Sequence, residues 1–106
     1  MPEEIKLLAK RTRTMRERLD ELWNEIGDDA ERQDEIYAQM KALDREIMRL
    51  ISINIKARGA EYDDATAALG TANTKLANAI SDINKFVKAI EFTAKAIALV
   101  AKVKPV

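Results

Sequence analysis

Carboxylates are the first side chains to consider for catalysis or metal binding in this sequence, because histidine and cysteine are both absent. Two adjacent pairs stand out, Asp28/Asp29 and Asp63/Asp64. Neighbouring residues on a helix point in different directions, so neither pair converges on one substrate atom. Without histidine the chain lacks the usual general base and the commonest transition-metal ligand. We therefore interpret both pairs as solvated caps near helix ends.

Motifs for phosphate or cofactor binding are also missing. The sequence contains no glycine-rich phosphate loop and no nucleophile elbow. Metal sites in helical bundles commonly use a Glu-x-x-His motif, which cannot occur in a chain without histidine. The sequence therefore predicts a protein that is not an enzyme and that holds no cofactor and no metal ion.

A group of basic residues near the N-terminus raises the question of nucleic-acid binding. Its members are Lys10, Arg11, Arg13, Arg16 and Arg18. They wrap around a helix rather than forming one stripe, and several can pair with acidic residues four positions later, as in Arg13–Glu17. The formal net charge of zero gives little of the counterion release that drives non-specific binding to nucleic acids. We expect no nucleic-acid partner.

The composition predicts a single helical domain. The chain has 106 residues, of which 47% are apolar and 34% are charged, with only two prolines and three glycines. This profile is typical of long helices. The charges are divided: residues 1–64 carry 12 Lys/Arg and 16 Asp/Glu (net −4), whereas residues 65–106 carry six Lys and two acidic residues (net +4). This division favours docking of the two parts, or head-to-tail stacking of chains.

A heptad pattern covers the first half of the chain. Its two series are Ile5, Thr12, Leu19, Ile26, Gln33, Met40, Ile47, Asn54 and Leu8, Met15, Leu22, Asp29, Ile36, Leu43, Leu50, Ala57. Most of these positions are apolar, as expected for the seam of a coiled coil. The pattern keeps its phase across Gly27, which predicts one continuous helix of about 55 residues and about 80 Å. The alternative is a break at Gly27, which gives three helices in all.

The second half carries a different and broader helical pattern. Five large aliphatic residues lie seven positions apart, namely Leu69, Leu76, Ile83, Ile90 and Ile97. Further apolar residues flank this series on both sides, so the apolar face is wider than a two-stranded seam requires. We predict an all-α fold in one domain: helix 1 at about 3–57, a turn at about 58–63 and helix 2 at about 64–103. The two helices would form a long antiparallel hairpin with coiled-coil heptads that self-associates into a helical bundle.

The second helix is the expected interaction surface. Its candidate contact residues are Phe86, Ile90, Phe92, Ile97 and Val100. Three lysines at intervals of seven, Lys88, Lys95 and Lys102, form one stripe beside them. In the favoured interpretation this helix is central in a bundle and the lysines meet acidic residues of helix 1. In the alternative it lies in a membrane interface, where the lysines reach lipid headgroups.

Two polar residues interrupt the first seam. Asp29 and Gln33 stand at core-type positions, where buried polar groups fix the register and the number of subunits of a coiled coil. The other interpretation, of equal weight, is that the helix loosens at Gly27 and exposes both residues to water.

Together these patterns predict a non-catalytic interaction or assembly protein. It would act as an adaptor, oligomeric scaffold or inhibitor through coiled-coil surfaces, and its partner would be a second copy or another helical protein. The alternative is a membrane-active amphipathic protein, such as a pore-former component or a toxin or phage accessory, that uses the second helix. The acidic start of the chain does not resemble a secretory signal peptide. The cytoplasm is therefore the default location, although export that needs no cleaved signal stays open.

Overall fold

The computed structural model of this chain describes residues 3–52 and 59–104. Four α-helices account for most of them: α1 (Glu3–Ile26), α2 (Ala30–Ser52), α3 (Ala60–Ser81) and α4 (Phe86–Val100). One turn of 3₁₀-helix, Ile83–Lys85, leads into α4. The prediction of an all-helical fold is confirmed, and the described residues contain no strand.

The first predicted helix is broken at Gly27, so the prediction of one continuous helix at about 3–57 was wrong. Gly27 adopts a left-handed conformation with φ of 61°, which ends α1. Asp29 then caps α2, because its Oδ1 accepts a hydrogen bond from the backbone N–H of Arg32 at 3.1 Å. The heptad pattern keeps its phase across Gly27 although the helix ends there. Each helix of an antiparallel pair buries its own apolar stripe, so an unbroken pattern does not require an unbroken helix. The predicted end of this helix near residue 57 lies outside the described residues.

Substitution of Gly27 by alanine tests the break directly. A left-handed conformation costs an L-residue with a Cβ about 1–2 kcal/mol, and no atom lies within 4 Å of the position that the new Cβ would take. We therefore expect Gly27→Ala to lower the free energy of unfolding by about 1 kcal/mol, measured by urea denaturation. A continuous helix predicts the opposite sign, since alanine stabilises a helix interior by about 1 kcal/mol over glycine.

The second predicted helix is also broken, at Asp82. Asp82 has an extended backbone (φ −146°, ψ 102°), and its side chain accepts a hydrogen bond from the N–H of Asn84 at 3.1 Å. Such local bonding offers the backbone an alternative to the helical ladder. This corrects the prediction of one helix at about 64–103. Helix α3 also begins at Ala60, inside the predicted turn at about 58–63, of which Arg58 lies outside the described residues.

Side-chain contacts fix the direction of the helices. Arg16 pairs with Asp44 across α1 and α2, which run antiparallel on either side of the turn at Gly27. The Lys75 ammonium lies over the Phe92 ring, and Lys104 pairs with Glu61, so α3 and α4 are also antiparallel. By contrast, α2 and α4 run parallel, because Arg32 lies over Phe86 at their N-terminal ends and Arg49 reaches Val100 and Val103 near their C-terminal ends.

The four helices surround one apolar core. Helix α3 packs against α1 and α4, and α2 packs against α1 and α4, so each helix has two neighbours. The described chain measures 43 × 21 × 19 Å, about half the length expected of the continuous first helix. The largest side chains that are fully enclosed come from all four helices and include Leu8, Met15, Leu19, Leu22, Ile36, Leu43, Leu69, Leu76, Phe86 and Val100.

Candidate interaction surfaces

The predicted contact face of the second helix lies largely inside the chain. Phe86, Ile97 and Val100 are buried in the core, and Phe86 is only 1% exposed. Ile90 and Phe92 are half-buried and pack against the edge of the same core. Because α2 and α3 already cover this face of α4, it is closed to a partner or to lipid in this fold.

The predicted lysine stripe, in contrast, is on the surface. Lys88 and Lys95 are exposed on the outer side of α4, and Lys102 is exposed in the turn that follows its end at Val100. The Lys95 ammonium lies 5.5 Å from the centre of the Phe92 ring, while Lys75 of α3 approaches the same ring at 5.3 Å. The expected pairing of these lysines with acidic residues of the first half does not occur among the described residues, since no ion pair there joins α4 to α1 or α2.

A shallow cavity of about 220 Å³ lies at the end of this stripe. It is lined by Lys75, Asn78, Lys85 and Lys88, which belong to the end of α3, the 3₁₀ turn and the start of α4. No carboxylate lines it. Its lining therefore carries three positive charges.

The polar pair of the first seam serves the turn between α1 and α2. Asp29 is exposed and caps α2, and the Gln33 side-chain amide donates a hydrogen bond to the carbonyl of Gly27 at 2.8 Å. Asp29 is thus exposed beside the turn at Gly27, whereas Gln33 is half-buried. They hold a turn within the chain and are not enclosed in its core.

The predictions from the sequence did not include a row of exposed residues on α2. Tyr37, Met48 and Ile51 are 54%, 69% and 75% exposed, respectively. Together with Lys41 and Asp44 they form what we call the α2 outer stripe. The spacing of 37, 41, 44, 48 and 51 alternates between four and three, which is a second heptad seam beside the buried one. This spacing could have indicated the α2 outer stripe from the sequence, but the prediction followed the buried seam, which is more apolar.

Two arginines of the first half bind backbone carbonyls of the second half. Arg49 of α2 donates hydrogen bonds to the carbonyls of Val100 (2.8 Å) and Val103 (3.0 Å), where α4 ends. Its Nε also binds Glu46 at 2.8 Å. Arg11 of α1 donates to the carbonyl of Thr66 at 2.6 Å. Asn73 of α3 also donates a hydrogen bond from its side-chain amide to the carbonyl of Arg11 at 3.0 Å. These bonds join α1 and α2 to the second half of the chain.

A third arginine, Arg16, joins α1 to α2, and it binds carboxylates instead of backbone carbonyls. Its guanidinium binds Asp20 at 2.6 Å and Asp44 at 3.0 Å. Burial alone would lower the pKa of Arg16, but the hydrogen bonds and charges of Asp20 and Asp44 outweigh burial and raise it. Arg16 therefore stays positively charged and neutralises Asp44 beside the α2 outer stripe.

The structure gives no geometry for a metal centre within residues 3–52 and 59–104, where no three histidine, cysteine, aspartate or glutamate side chains come together. None of the helices described is long and apolar enough to cross a membrane. Comparison with protein-family models, curated proteins and solved structures finds no match to this chain, so its function is argued from its own surfaces.

Proposed function

We propose that this chain is a non-catalytic helical assembly protein that pairs with a second copy of itself through the α2 outer stripe. The observation that carries the proposal is the exposure of Tyr37, Met48 and Ile51 along one side of α2. Scattered apolar residues on a surface need no explanation, but aligned ones often mark a contact surface. The proposed contact therefore uses the α2 outer stripe, not the second-helix face that was expected from the sequence.

The stripe is self-complementary in an antiparallel pair. A two-fold axis close to Asp44 places Tyr37 opposite Ile51 of the second copy, because the two residues lie seven positions on either side of Asp44. Lys41 then lies within one helical turn of Asp44 of the second copy. Such an isologous contact, in which the same patch serves both subunits, is the commonest symmetry of soluble oligomers.

Charges within each chain support this geometry. Two Asp44 carboxylates would meet near the axis and repel, but each already binds its own Arg16 at 3.0 Å. The Lys41 ammonium lies 5.4 Å from the centre of the Tyr37 ring. The stripe thus presents a tyrosine face, two apolar side chains and a balanced pair of charges. Apolar side chains at such heptad positions pack between helices, and polar ones there set the register at a cost in stability.

The test is a double substitution that places charges on the stripe. We expect Met48→Glu/Ile51→Glu to weaken self-association roughly tenfold or more, because two apolar contacts are replaced by four carboxylates across the axis. Sedimentation equilibrium over a range of protein concentrations measures the dissociation constant. Both residues are exposed, so the thermal midpoint of the monomer should change little.

Val87→Glu/Ala94→Glu is the matched control. It also adds two negative charges at exposed positions, but on α4 instead of α2. The proposal requires the control to keep the dissociation constant of the unaltered protein. A chain that stays monomeric at every concentration, or two variants with the same dissociation constant, would contradict it.

The same stripe could serve an adaptor or inhibitor that binds another helical protein. An unlike partner would need an apolar helix seam of similar length to cover Tyr37, Met48 and Ile51. The sedimentation experiment separates these roles, because an adaptor of this kind is monomeric until its partner is added.

A further inference from the structure

Five lysines lie on or beside the outer side of α4. We define the α4 basic face as Lys75, Lys85, Lys88, Lys95 and Lys102, together with one acidic residue, Glu91, which lies between Lys88 and Lys95. The exposed small or apolar residues Val87, Ala94, Ala98 and Ala101 lie beside them. None of these lysines has a carboxylate within 4 Å among the described residues. The charge of this face is therefore not neutralised within the chain.

The acidic residues near the face do not cancel its charge. Asp82 accepts a hydrogen bond from the N–H of Asn84 and serves the turn before α4. Glu91 is the only acidic residue of α4, against two lysines on that helix and Lys85 and Lys102 just outside its two ends. Further acidic residues are exposed around the turn between α1 and α2, which lies at the same end of the bundle as the start of α4, because Arg32 contacts Phe86 there. None of them pairs with these lysines among the described residues.

From this charge distribution we infer that the α4 basic face docks on the surface of an anionic lipid bilayer, with the fold intact. Each lysine near such a surface contributes about 1 kcal/mol, so several together give measurable binding. The neighbouring alanines are small, and the long lysine side chains outnumber the one carboxylate, Glu91, so ammonium groups can approach the headgroup phosphates closely. Val87, which is 65% exposed, adds an apolar side chain at the level of the headgroups.

This mode of binding differs from insertion of the second helix. Phe86, Ile97 and Val100 face the core, so they stay in the protein while lysines meet the lipid. The bound protein would lie on the bilayer and not within it. The surface is also separate from the α2 outer stripe, so binding to lipid does not depend on the proposed self-association.

The chemistry of the face favours lipid over nucleic acid. All of its cations are lysines, whereas arginine is the side chain best suited to forked contacts with phosphates and bases. The aromatic ring next to this face, Phe92, is half-buried and already lies near the Lys75 and Lys95 ammonium groups, so it is a poor platform for stacking on a base. A lipid surface needs only point charges and shallow apolar contacts, and the face supplies both.

Flotation with vesicles tests the inference. We use the full chain with phosphatidylcholine vesicles that contain either no anionic lipid or about 30 mol% phosphatidylglycerol, at low and at high salt. We expect binding to the anionic vesicles only, with a loss at high salt. Lys88→Glu/Lys95→Glu should reduce the partition coefficient roughly tenfold or more.

Two further variants make the result specific. Lys10→Glu/Arg13→Glu changes the net charge by the same amount on the exposed side of α1, and it should bind anionic vesicles as the unaltered protein does. Met48→Glu/Ile51→Glu should also keep its binding, which separates this inference from the proposed self-association. Circular dichroism confirms that each variant is folded.

Several results would overturn the inference. One is equal binding to neutral and anionic vesicles, and another is an equal loss in the α1 and α4 charge variants. Tighter binding to a short DNA duplex than to anionic vesicles, measured by fluorescence anisotropy, would assign the face to nucleic acid instead.

Discussion

Truncation of Phe86 to alanine should lower the free energy of unfolding by about 3–5 kcal/mol. Phe86 begins α4 and is 1% exposed, and the Arg32 guanidinium of α2 lies 5.4 Å from the centre of its ring. The substitution removes buried apolar surface and leaves a cavity where α2 and α4 meet. For a domain of this size we expect the thermal midpoint to fall by roughly 15 °C or more, measured by circular dichroism.

The adjacent residue provides a control for this prediction. Val87 is 65% exposed, so Val87→Ala should change stability by no more than about 0.5 kcal/mol. Phe86→Leu keeps most of the volume and should cost much less than alanine. If Phe86→Ala and Val87→Ala have similar effects, the ring does not lie in the core and the orientation assigned to α4 is wrong. If Phe86→Ala fails to fold, Phe86→Leu can still be compared with Val87→Ala, and Phe86→Leu should be the more destabilising of the two.

Replacement of Arg49 by alanine should cost about 2–3 kcal/mol, the second largest effect that we expect. The side chain donates hydrogen bonds to the carbonyls of Val100 and Val103, and bonds that involve a charged group contribute about 1.5–3 kcal/mol each. A cation at the C-terminal end of a helix also interacts favourably with the helix dipole. We discount the sum because a third of the side chain is exposed (32%). Urea denaturation measures the change.

Two comparisons separate the bonding of Arg49 from its charge. Arg45 lies one turn earlier on α2 and is exposed, so Arg45→Ala removes the same charge and should have little effect. Arg49→Lys keeps the charge but cannot fork to two carbonyls, and it should recover less than half of the loss. Equal effects of Arg45→Ala and Arg49→Ala would show that the bonds to the end of α4 contribute nothing to stability.

Glu46 gives a further check on the same group. Its side chain is only 14% exposed and pairs with Arg49 at 2.8 Å, so Arg49→Ala leaves a poorly solvated carboxylate. Glu46→Gln in the Arg49→Ala background should therefore restore part of the stability. No restoration would mean that the carboxylate finds water once Arg49 is removed.

The position of each buried seam could be read from the sequence, and the number of helices could not. Leu8, Met15, Leu22, Ile36 and Leu43 were placed on one seam, and all are buried. Periodicity reports which side of a helix is apolar, but it continues through a turn when both helices use the same stripe. Gly27 carried a local signal for a turn, but the apparent continuity of the pattern outweighed it, and no turn was predicted at Asp82.

The candidate surfaces depended even more on which helices are neighbours. The apolar face with Phe86, Ile97 and Val100 was recognised, but an apolar face may be covered by a partner, by lipid or by the chain itself. The fold covers it with α2 and α3. This arrangement leaves Lys88 and Lys95 outside and brings the unassigned residues Met48 and Ile51 to the surface.

The sequence by itself determined the helical class, the apolar side of each helix and the lysine stripe, because all three follow from residue type and spacing along one helix. Only the tertiary structure decided that there are four helices among the described residues, that α2 runs parallel to α4, and that Arg49 binds the end of α4. The physical reason is distance along the chain: Arg49 and Val103 are 54 positions apart. No local preference links such residues, and their contact arises only from the balance of packing among all four helices.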